Sequence, residues 1–188
     1  MPVDRDAAER AIRAFLEALG QDPETNPALV GTPARVTEAF TEDLLSGYAV
    51  DVAALLVAES EPIAKGGPRG LVVVRGVTLA TVCPHHLLPA LGRAAVAYLP
   101  GERLVGIGTI ARTVDAFARR LTLQETIGES VVRALMETVR ARGAYCQIEL
   151  AHTCLGARGA RQAGASVITV AQAGERIPDA TLLCGDRS

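Results

Sequence analysis

Residues 71–82 read Leu-Val-Val-Val-Arg-Gly-Val-Thr-Leu-Ala-Thr-Val, and this stretch decides the class of fold. Apolar and β-branched residues dominate it, and an Arg-Gly pair at positions 75 and 76 interrupts it. Runs of this composition, bounded by turn residues, are typical of β-strands. The stretch therefore predicts two strand segments, over residues 71–74 and 77–82, in the middle of the chain.

The residues that follow predict strands and helices in blocks. A third strand is predicted over residues 94–99, and apolar residues at helical spacing predict helices over 110–118 and 123–139. Two more strands are predicted over residues 145–151 and 166–170. Blocks of strands and helices, rather than strict alternation, indicate an α+β domain with an antiparallel sheet.

The residues that precede the strands are helical in pattern. Apolar residues recur at helical spacing over residues 4–19, and a Thr-Pro start predicts a second helix over residues 32–47. The Gly- and Pro-rich stretch 60–70 predicts a loop. We therefore expect an N-terminal helical segment over residues 1–58 and a catalytic domain over residues 59–188.

Composition and charge exclude several classes of protein. The 188 residues are 49% hydrophobic and 21% charged, which is typical of a folded domain rather than a disordered one. No segment approaches the roughly 20 apolar residues of a membrane span, and the first residues lack the pattern of a secretory signal. The net charge is −2, without a basic run, so nothing indicates nucleic-acid binding. We expect a cytoplasmic protein that binds neither membranes nor nucleic acid.

The cysteines and histidines cluster together. The chain has four Cys and only three His, and every His lies within three residues of a Cys. In a cytoplasmic protein, such cysteines are more often metal ligands or catalytic groups than disulfide partners. Buried or incidental thiols are the safer interpretation for Cys146 and Cys184, which have no adjacent His.

Three of these residues predict a catalytic zinc site. Cys83 and His86 form a compact pair at a predicted strand end, and Cys154 follows the predicted strand 145–151, which we expect beside the strand ending at Val82. Catalytic zinc keeps three protein ligands and a water, whereas structural zinc takes four ligands. The alternative is that the cysteines are buried apolar residues and the histidines are hydrogen-bonded core groups.

Two further histidines are then available for proton transfer. His85 and His152 lie beside the predicted ligands, and imidazole titrates near neutral pH. From these residues alone, we expect a zinc hydrolase or lyase that acts on a polar small molecule.

Several spaced motifs, in one order, resemble those of the GTP cyclohydrolase I family. They are TPAR at 32–35, CPHHLLP at 83–89, VAYLP at 96–100, RRLTLQE at 119–125 and HTCLGARG at 152–159. The resemblance implies a tunnelling fold, which is an antiparallel sheet with two helices on one face, here preceded by the N-terminal helical segment. It also implies a homodecamer of two stacked pentameric rings, with active sites between subunits.

The resemblance implies a reaction as well. Members of the family open the imidazole ring of the guanine in GTP, release formate and form 7,8-dihydroneopterin triphosphate. This product leads to tetrahydrofolate or tetrahydrobiopterin, so a role in pterin biosynthesis and one-carbon metabolism is implied.

Carried over by position, the resemblance implies three groups of site residues. The zinc ligands would be Cys83, His86 and Cys154. The proton-transfer residues would be His152, at N7 of the purine, and His85, at the ribose or phosphate side. The substrate contacts would be Gln124 and Glu125 at the guanine edge, and Arg35, Arg112 and Arg158 at the phosphates.

The sequence departs from the family pattern at three places. Pro84 replaces an acid beside the metal ligands, and Gly108 and Thr109 replace a Ser and a Lys that would meet the triphosphate. The tail after Val170 also differs. These departures keep two alternatives open, namely a diverged paralogue that acts on another purine or pteridine, possibly with fewer phosphates, and a non-catalytic, ring-forming regulatory protein.

Overall fold

The computed structural model describes residues 3–67 and 69–177, and Cys184 lies outside them. The described chain divides into two compact units, with the division between Ser46 and Gly47. The first unit is helical, and the second contains a sheet and its covering helices. The domain boundary that the sequence predicts, between residues 58 and 59, stays a proposal.

The first unit contains two helices. Helix α1, Arg5–Ala18, begins at Asp4, whose carboxylate accepts a hydrogen bond of 2.9 Å from the backbone N–H of Ala7. Helix α2, Thr32–Glu38, continues as a π-helical turn, Ala39–Leu44. Gly31, with a positive φ of 74°, is the N-cap of α2, so Thr32 lies inside the helix. The predicted N-terminal helical segment is confirmed.

The second unit contains four helices and six strands within the described residues, and a short 3₁₀ turn begins at the last residue of the first unit. The helices are α3 Val52–Ala58, α4 Ile107–Ala118, α5 Gln124–Thr138 and α6 Thr153–Gly156, and the 3₁₀ turn is Ser46–Ala49. The strands are β1 Ser60–Pro62, β2 Val72–Val82, β3 Pro89–Leu99, β4 Arg103–Val105, β5 Gly143–His152 and β6 Val167–Gly174.

The main sheet has four antiparallel strands in the order β2-β3-β5-β6. Strand β3 pairs Pro89 with Val82 of β2, and Ala90 with His152 of β5. The end of β2, the start of β3 and the end of β5 therefore meet at one end of the sheet. Strands β1 and β4 form a separate antiparallel pair.

Helices α4 and α5 pack on one face of this sheet. Residues that lie opposite each other in an antiparallel sheet share a face, and Ala94, Ile148, Val96 and Cys146 point towards the helices. Val114 of α4, and Val131 and Leu135 of α5, are fully buried against them. This arrangement confirms the predicted α+β fold, with an antiparallel sheet and two helices on one face.

The opposite face of the sheet is partly uncovered in a single chain. Its buried cluster is small and consists of Ala97, Tyr145 and Ile177. Leu91, Ile168 and Val170 are exposed by 55%, 57% and 53%. Such a concentration of exposed apolar side chains is a common mark of an interaction surface.

Several details differ from the prediction. The segments 71–74 and 77–82 form one strand, because Arg75 and Gly76 make a β-bulge rather than a break. The predicted loop 60–70 begins with strand β1, and helix α3 and strand β4 were not predicted. We expected strand β5 beside β2, but β3 lies between them.

Within residues 3–67 and 69–177, every helix is too short or too polar to cross a membrane.

Candidate metal centre and adjoining cleft

A tight turn after β2 holds Cys83 and His86. The backbone N–H of Leu87 donates to the carbonyl of Cys83 at 2.9 Å, and that of Cys83 donates to the carbonyl of Leu88 at 3.0 Å. Leu87 has a φ of 53°, a left-handed conformation that non-glycine residues seldom adopt. The two bonds close the loop between β2 and β3 and fix its position at the sheet end.

Cys154 lies at the same end of the sheet, in a segment that follows β5 on the other side of β3. Helix α6 begins directly after β5, and the hydroxyl of Thr153 donates a 2.6 Å hydrogen bond to the carbonyl of Pro89. This bond ties the first turn of α6 to the start of β3. The sheet order thus brings Cys154 to Cys83 even though their strands are not neighbours.

The three predicted metal ligands come together. One ligand atom from each of Cys83, His86 and Cys154 lies within 4.8 Å of the others. Burial raises the pKa of the Cys154 thiol, and the neighbouring Cys83 thiol raises it further, whereas the charge of Arg158 lowers it. Two thiols that oppose each other's ionisation suit a cation between them, because a cation favours the thiolates. Two sulfurs and one imidazole form a donor set that zinc accepts.

A cleft of about 290 Å³ adjoins the cluster. The residues that line it are Thr81, Cys83, Pro84, His85, His86, Thr122, Leu123, Gln124, Glu125, His152, Cys154, Leu155 and Val167. It thus contains the three ligands, both predicted proton-transfer histidines and both predicted guanine contacts. A pairing of Val82 with Leu121 draws the segment before α5 to this end of the sheet.

The two additional histidines occupy different environments. His85 is exposed, and its Nδ1 lies 3.9 Å from the Sγ of Cys83. His152 is half-buried at the end of β5, and its Nε2 lies 2.8 Å from Oε1 of Gln124. His152 is therefore held by a neighbouring side chain, whereas His85 faces solvent.

The side chains of Gln124 and Glu125, at the start of α5, lie in different surroundings. Gln124 is only 3% exposed, and its Nε2 lies 2.9 Å from the carbonyl oxygens of Ile148 and Val167. Glu125 is exposed and lines the cleft. Of this pair, Glu125 is the one with a side chain available to a ligand.

Two of the predicted phosphate contacts, Arg112 and Arg158, belong to the second unit and do not line this cleft in the described chain. Arg112 forms an ion pair with Glu59, whose other carboxylate oxygen accepts a 2.7 Å hydrogen bond from the hydroxyl of Thr109. These bonds, that of Thr109 first, lower the pKa of Glu59. Arg35 belongs to the first unit and donates to the Thr32 hydroxyl at 3.1 Å.

Glu59 is the residue that sequence reasoning missed. It follows α3, which the pattern analysis also missed, although Asp51 before an apolar run is a recognisable helix start. No sequence signal indicates that Glu59 faces Arg112, because the two belong to elements joined only by the fold.

Comparisons with known proteins point to one family. The family model described as GTP cyclohydrolase I matches residues 8–182. A GTP cyclohydrolase 1 of Allorhizobium ampelinum is 39% identical over 171 residues, which are 91% of this chain and 83% of that protein. A GTP cyclohydrolase 1 of Leifsonia xyli subsp. xyli is 39% identical over 172 residues, with 92% and 88% covered.

The solved structure of an archaeosine synthase QueF-Like in the apo form is also similar. It has a TM-score of 0.48 at 18% identity, and the match covers 58% of this chain and 99% of that chain. At that level, the likeness carries no argument about fold or function.

Proposed function

The chain belongs to the GTP cyclohydrolase I family, and from this premise we propose that it converts GTP to 7,8-dihydroneopterin triphosphate and formate. Membership makes it a hydrolase of the cyclohydrolase type. The observation that carries the proposal is the convergence, on one cleft, of a Cys-His-Cys cluster, two histidines and an exposed glutamate.

Cys83, His86 and Cys154 would hold the metal, and the donor set favours zinc. When bound, zinc supplies the Lewis acidity that makes water a nucleophile near neutral pH. The turn at Leu87 and the bond from Thr153 to Pro89 hold the two ligand-bearing segments in place. Preorganised ligands of this kind do not have to be ordered when the metal binds.

The two remaining histidines would handle protons. His152 would donate a proton to N7 of the purine, which makes C8 more electrophilic, and His85 would act at the ribose or phosphate side. Both line the cleft. Imidazole is suited to this work because its ordinary pKa lies near neutral pH.

Glu125 would recognise the guanine edge. A carboxylate can accept two parallel hydrogen bonds, here from N1–H and the 2-amino group of guanine. Adenine lacks both donors at these positions, so the same carboxylate would select against it. The position of Glu125 in the first turn of α5 also suits a negative charge.

Assembly and pathway follow from the same premise. We propose a homodecamer of two pentameric rings in the cytoplasm, with active sites between subunits and a product that enters pterin and tetrahydrofolate biosynthesis. The exposed apolar side chains of Leu91, Ile168 and Val170 support self-association.

A second candidate is favoured by the Glu59–Arg112 ion pair. Thr109 stands where the family has a lysine, and Arg112 already has an anionic partner, so this segment offers less positive charge to a triphosphate. Each charge-assisted contact is worth about 1.5–3 kcal/mol, or roughly one to two powers of ten in affinity. This favours a purine or pteridine substrate with fewer phosphates.

One experiment separates the two candidates. The zinc-loaded protein is incubated with GTP, GMP, guanosine or guanine, and formate and pterin fluorescence are measured. We expect GTP to be turned over with the highest kcat/KM and the product to disappear in His152→Ala. Preference for GMP or guanosine would replace the first candidate by the second, and the absence of a ring-opened product from all four would refute the first candidate and restrict the second to other purines or to pteridines.

A further inference from the structure

The side-chain amide of Gln124 is fixed in one orientation. Its Nε2 lies 2.9 Å from the carbonyl oxygens of Ile148 and Val167, and 3.1 Å from the hydroxyl of Thr169. Carbonyl oxygens only accept hydrogen bonds, so the NH₂ group of Gln124 has to face them. The opposite assignment would place an amide oxygen against two carbonyl oxygens, with no hydrogen between them.

The fixed amide determines which nitrogen of His152 carries hydrogen. Oε1 of Gln124 lies 2.8 Å from Nε2 of His152 and can only accept. Nε2 of His152 is therefore the donor. A neutral imidazole carries one N–H, so Nδ1 is the ring nitrogen with the lone pair.

We infer that Gln124 is the positioning residue of His152: it holds the Nε2 hydrogen and leaves Nδ1 as the ring nitrogen that takes up a proton and passes it to the substrate. The catalytic part of this inference rests on the proposed function, which gives His152 its role. Gln124 suits such a role because it is 3% exposed and tied to β5 and β6. A side chain held by two strands can hold another side chain rigidly.

This role differs from the one that the family resemblance implies. A contact with the guanine edge would need a free N–H or oxygen on the amide. In this chain, the NH₂ group has three acceptors within 3.1 Å, and the oxygen is directed to His152. Reading of the base then falls to Glu125, which is exposed at the next position.

Kinetics with Gln124→Met in the zinc-loaded, full-length protein distinguish the two roles. Methionine keeps the length of the side chain but removes both the donor and the acceptor. If Gln124 positions His152, kcat for GTP falls by about 10–100-fold, the usual range for a residue that orients a functional group, and the Kd for GTP stays within about twofold. A raised Kd with an unchanged kcat would overturn the inference, because it would mark a guanine contact.

Gln147→Met is the matched control. Gln147 is also a buried glutamine, and its Oε1 accepts a 2.7 Å hydrogen bond from Tyr145, on the sheet face opposite to His152. We expect its kcat to match the wild type. An equal fall of kcat in both variants would overturn the inference, because loss of any buried amide would then explain it.

The tautomer itself gives a test that needs no turnover. Protein with ¹⁵N-labelled histidine has three ring systems, and the signals of His152 are those absent from His152→Ala. In solid-state spectra of the neutral ring, we expect the Nε2–H pattern. An Nδ1–H pattern would overturn the inference even if GTP is the substrate, whereas a lack of GTP turnover would refute only the proposed function.

Discussion

Cys154 is the ligand that tests the zinc assignment most directly, because it alone comes from the segment after β5. Cys154→Ala leaves one sulfur and one imidazole. We expect the zinc content to fall from about one per chain to near zero, since even outer-shell partners contribute 10–100-fold in affinity and a direct ligand contributes more. Elemental analysis after dialysis measures the change.

Cys146→Ala provides the control for this experiment. Cys146 is fully buried in β5 and is not part of the ligand cluster. The Cys146→Ala variant should keep about one zinc per chain. A full complement of zinc in Cys154→Ala would contradict the assignment.

A second prediction at the level of a single residue concerns Glu125. Glu125→Gln removes the charge that would hold N1–H and the 2-amino group of guanine. Because a charge-assisted hydrogen bond contributes about 1.5–3 kcal/mol, we expect KM for GTP to rise by roughly 10–100-fold. Steady-state kinetics measure it, with Glu129→Gln, one turn along α5 and also exposed, as the control. An unchanged KM would assign guanine recognition to another residue.

Glu59 predicts a pH dependence of stability. Its pKa is lowered by the Thr109 hydroxyl and by Arg112, so the ionised form is favoured in the folded state. The stabilisation is complete above the ordinary glutamate pKa of about 4.3 and is lost as pH falls through the lower, folded-state value. Glu59→Gln should therefore be slightly less stable than the wild type at pH 7 and equally stable at low pH.

Urea denaturation at the two pH values measures this difference, which is small because the pair is exposed. Glu61→Gln, a neighbouring exposed carboxylate, is the control. A difference that persists undiminished at low pH would show that Glu59 acts by something other than its charge.

At the level of elements, strand β3 connects the parts of the site. A Cβ added at Gly92 would lie 2.0 Å from the carbonyl oxygen of Glu149 on β5, which is backbone and cannot turn away. We expect Gly92→Ala to lose about 1–3 kcal/mol of unfolding free energy or more, measured by denaturation. Gly164→Ala has nothing within 4 Å of the new Cβ and should leave stability nearly unchanged. Equal unfolding free energies for the two variants would contradict this prediction, because they would show that β3 and β5 can move apart at position 92 without loss of stability.

The long elements were predictable because their apolar patterns are long. Helices α4 and α5 bury whole faces against the sheet, and such faces leave a periodic signal. Strands β1 and β4 have three residues each, which is too short for any period to be visible. The bulge in β2 also escaped prediction, because Arg-Gly marks a turn as well as a bulge, and only pairing with β3 distinguishes them.

At the scale of the whole molecule, the Cys-His-Cys cluster was predictable and its surroundings were not. Cysteine and histidine are rare in this chain and lie close together along it. Their clustering is enough to single out Cys83, His86 and Cys154. The bond between Gln124 and His152 involves common residue types from distant parts of the chain. Sheet order decides such contacts, and the sequence predicted that order incorrectly by placing β5 beside β2.

The exposed sheet face predicts the behaviour of the assembly. A decamer of 19.6 kDa chains has a mass of about 196 kDa, which sedimentation velocity would detect. Ile168→Glu combined with Val170→Glu places two charges on the apolar face, and we expect smaller species that still bind zinc. Val57→Glu, on an equally exposed residue of α3, is the control. A wild-type monomer would contradict the proposed assembly.

The meeting of three chain segments at one end of the sheet has a consequence for biosynthesis. Cys83 and Cys154 approach each other only after β2 has paired with β3 and β3 with β5, each in its native register. A slip of one residue would turn a strand's side chains to the wrong face and separate the ligands. If the cluster holds zinc as proposed, the metal would therefore stabilise only those chains whose three strands are correctly aligned.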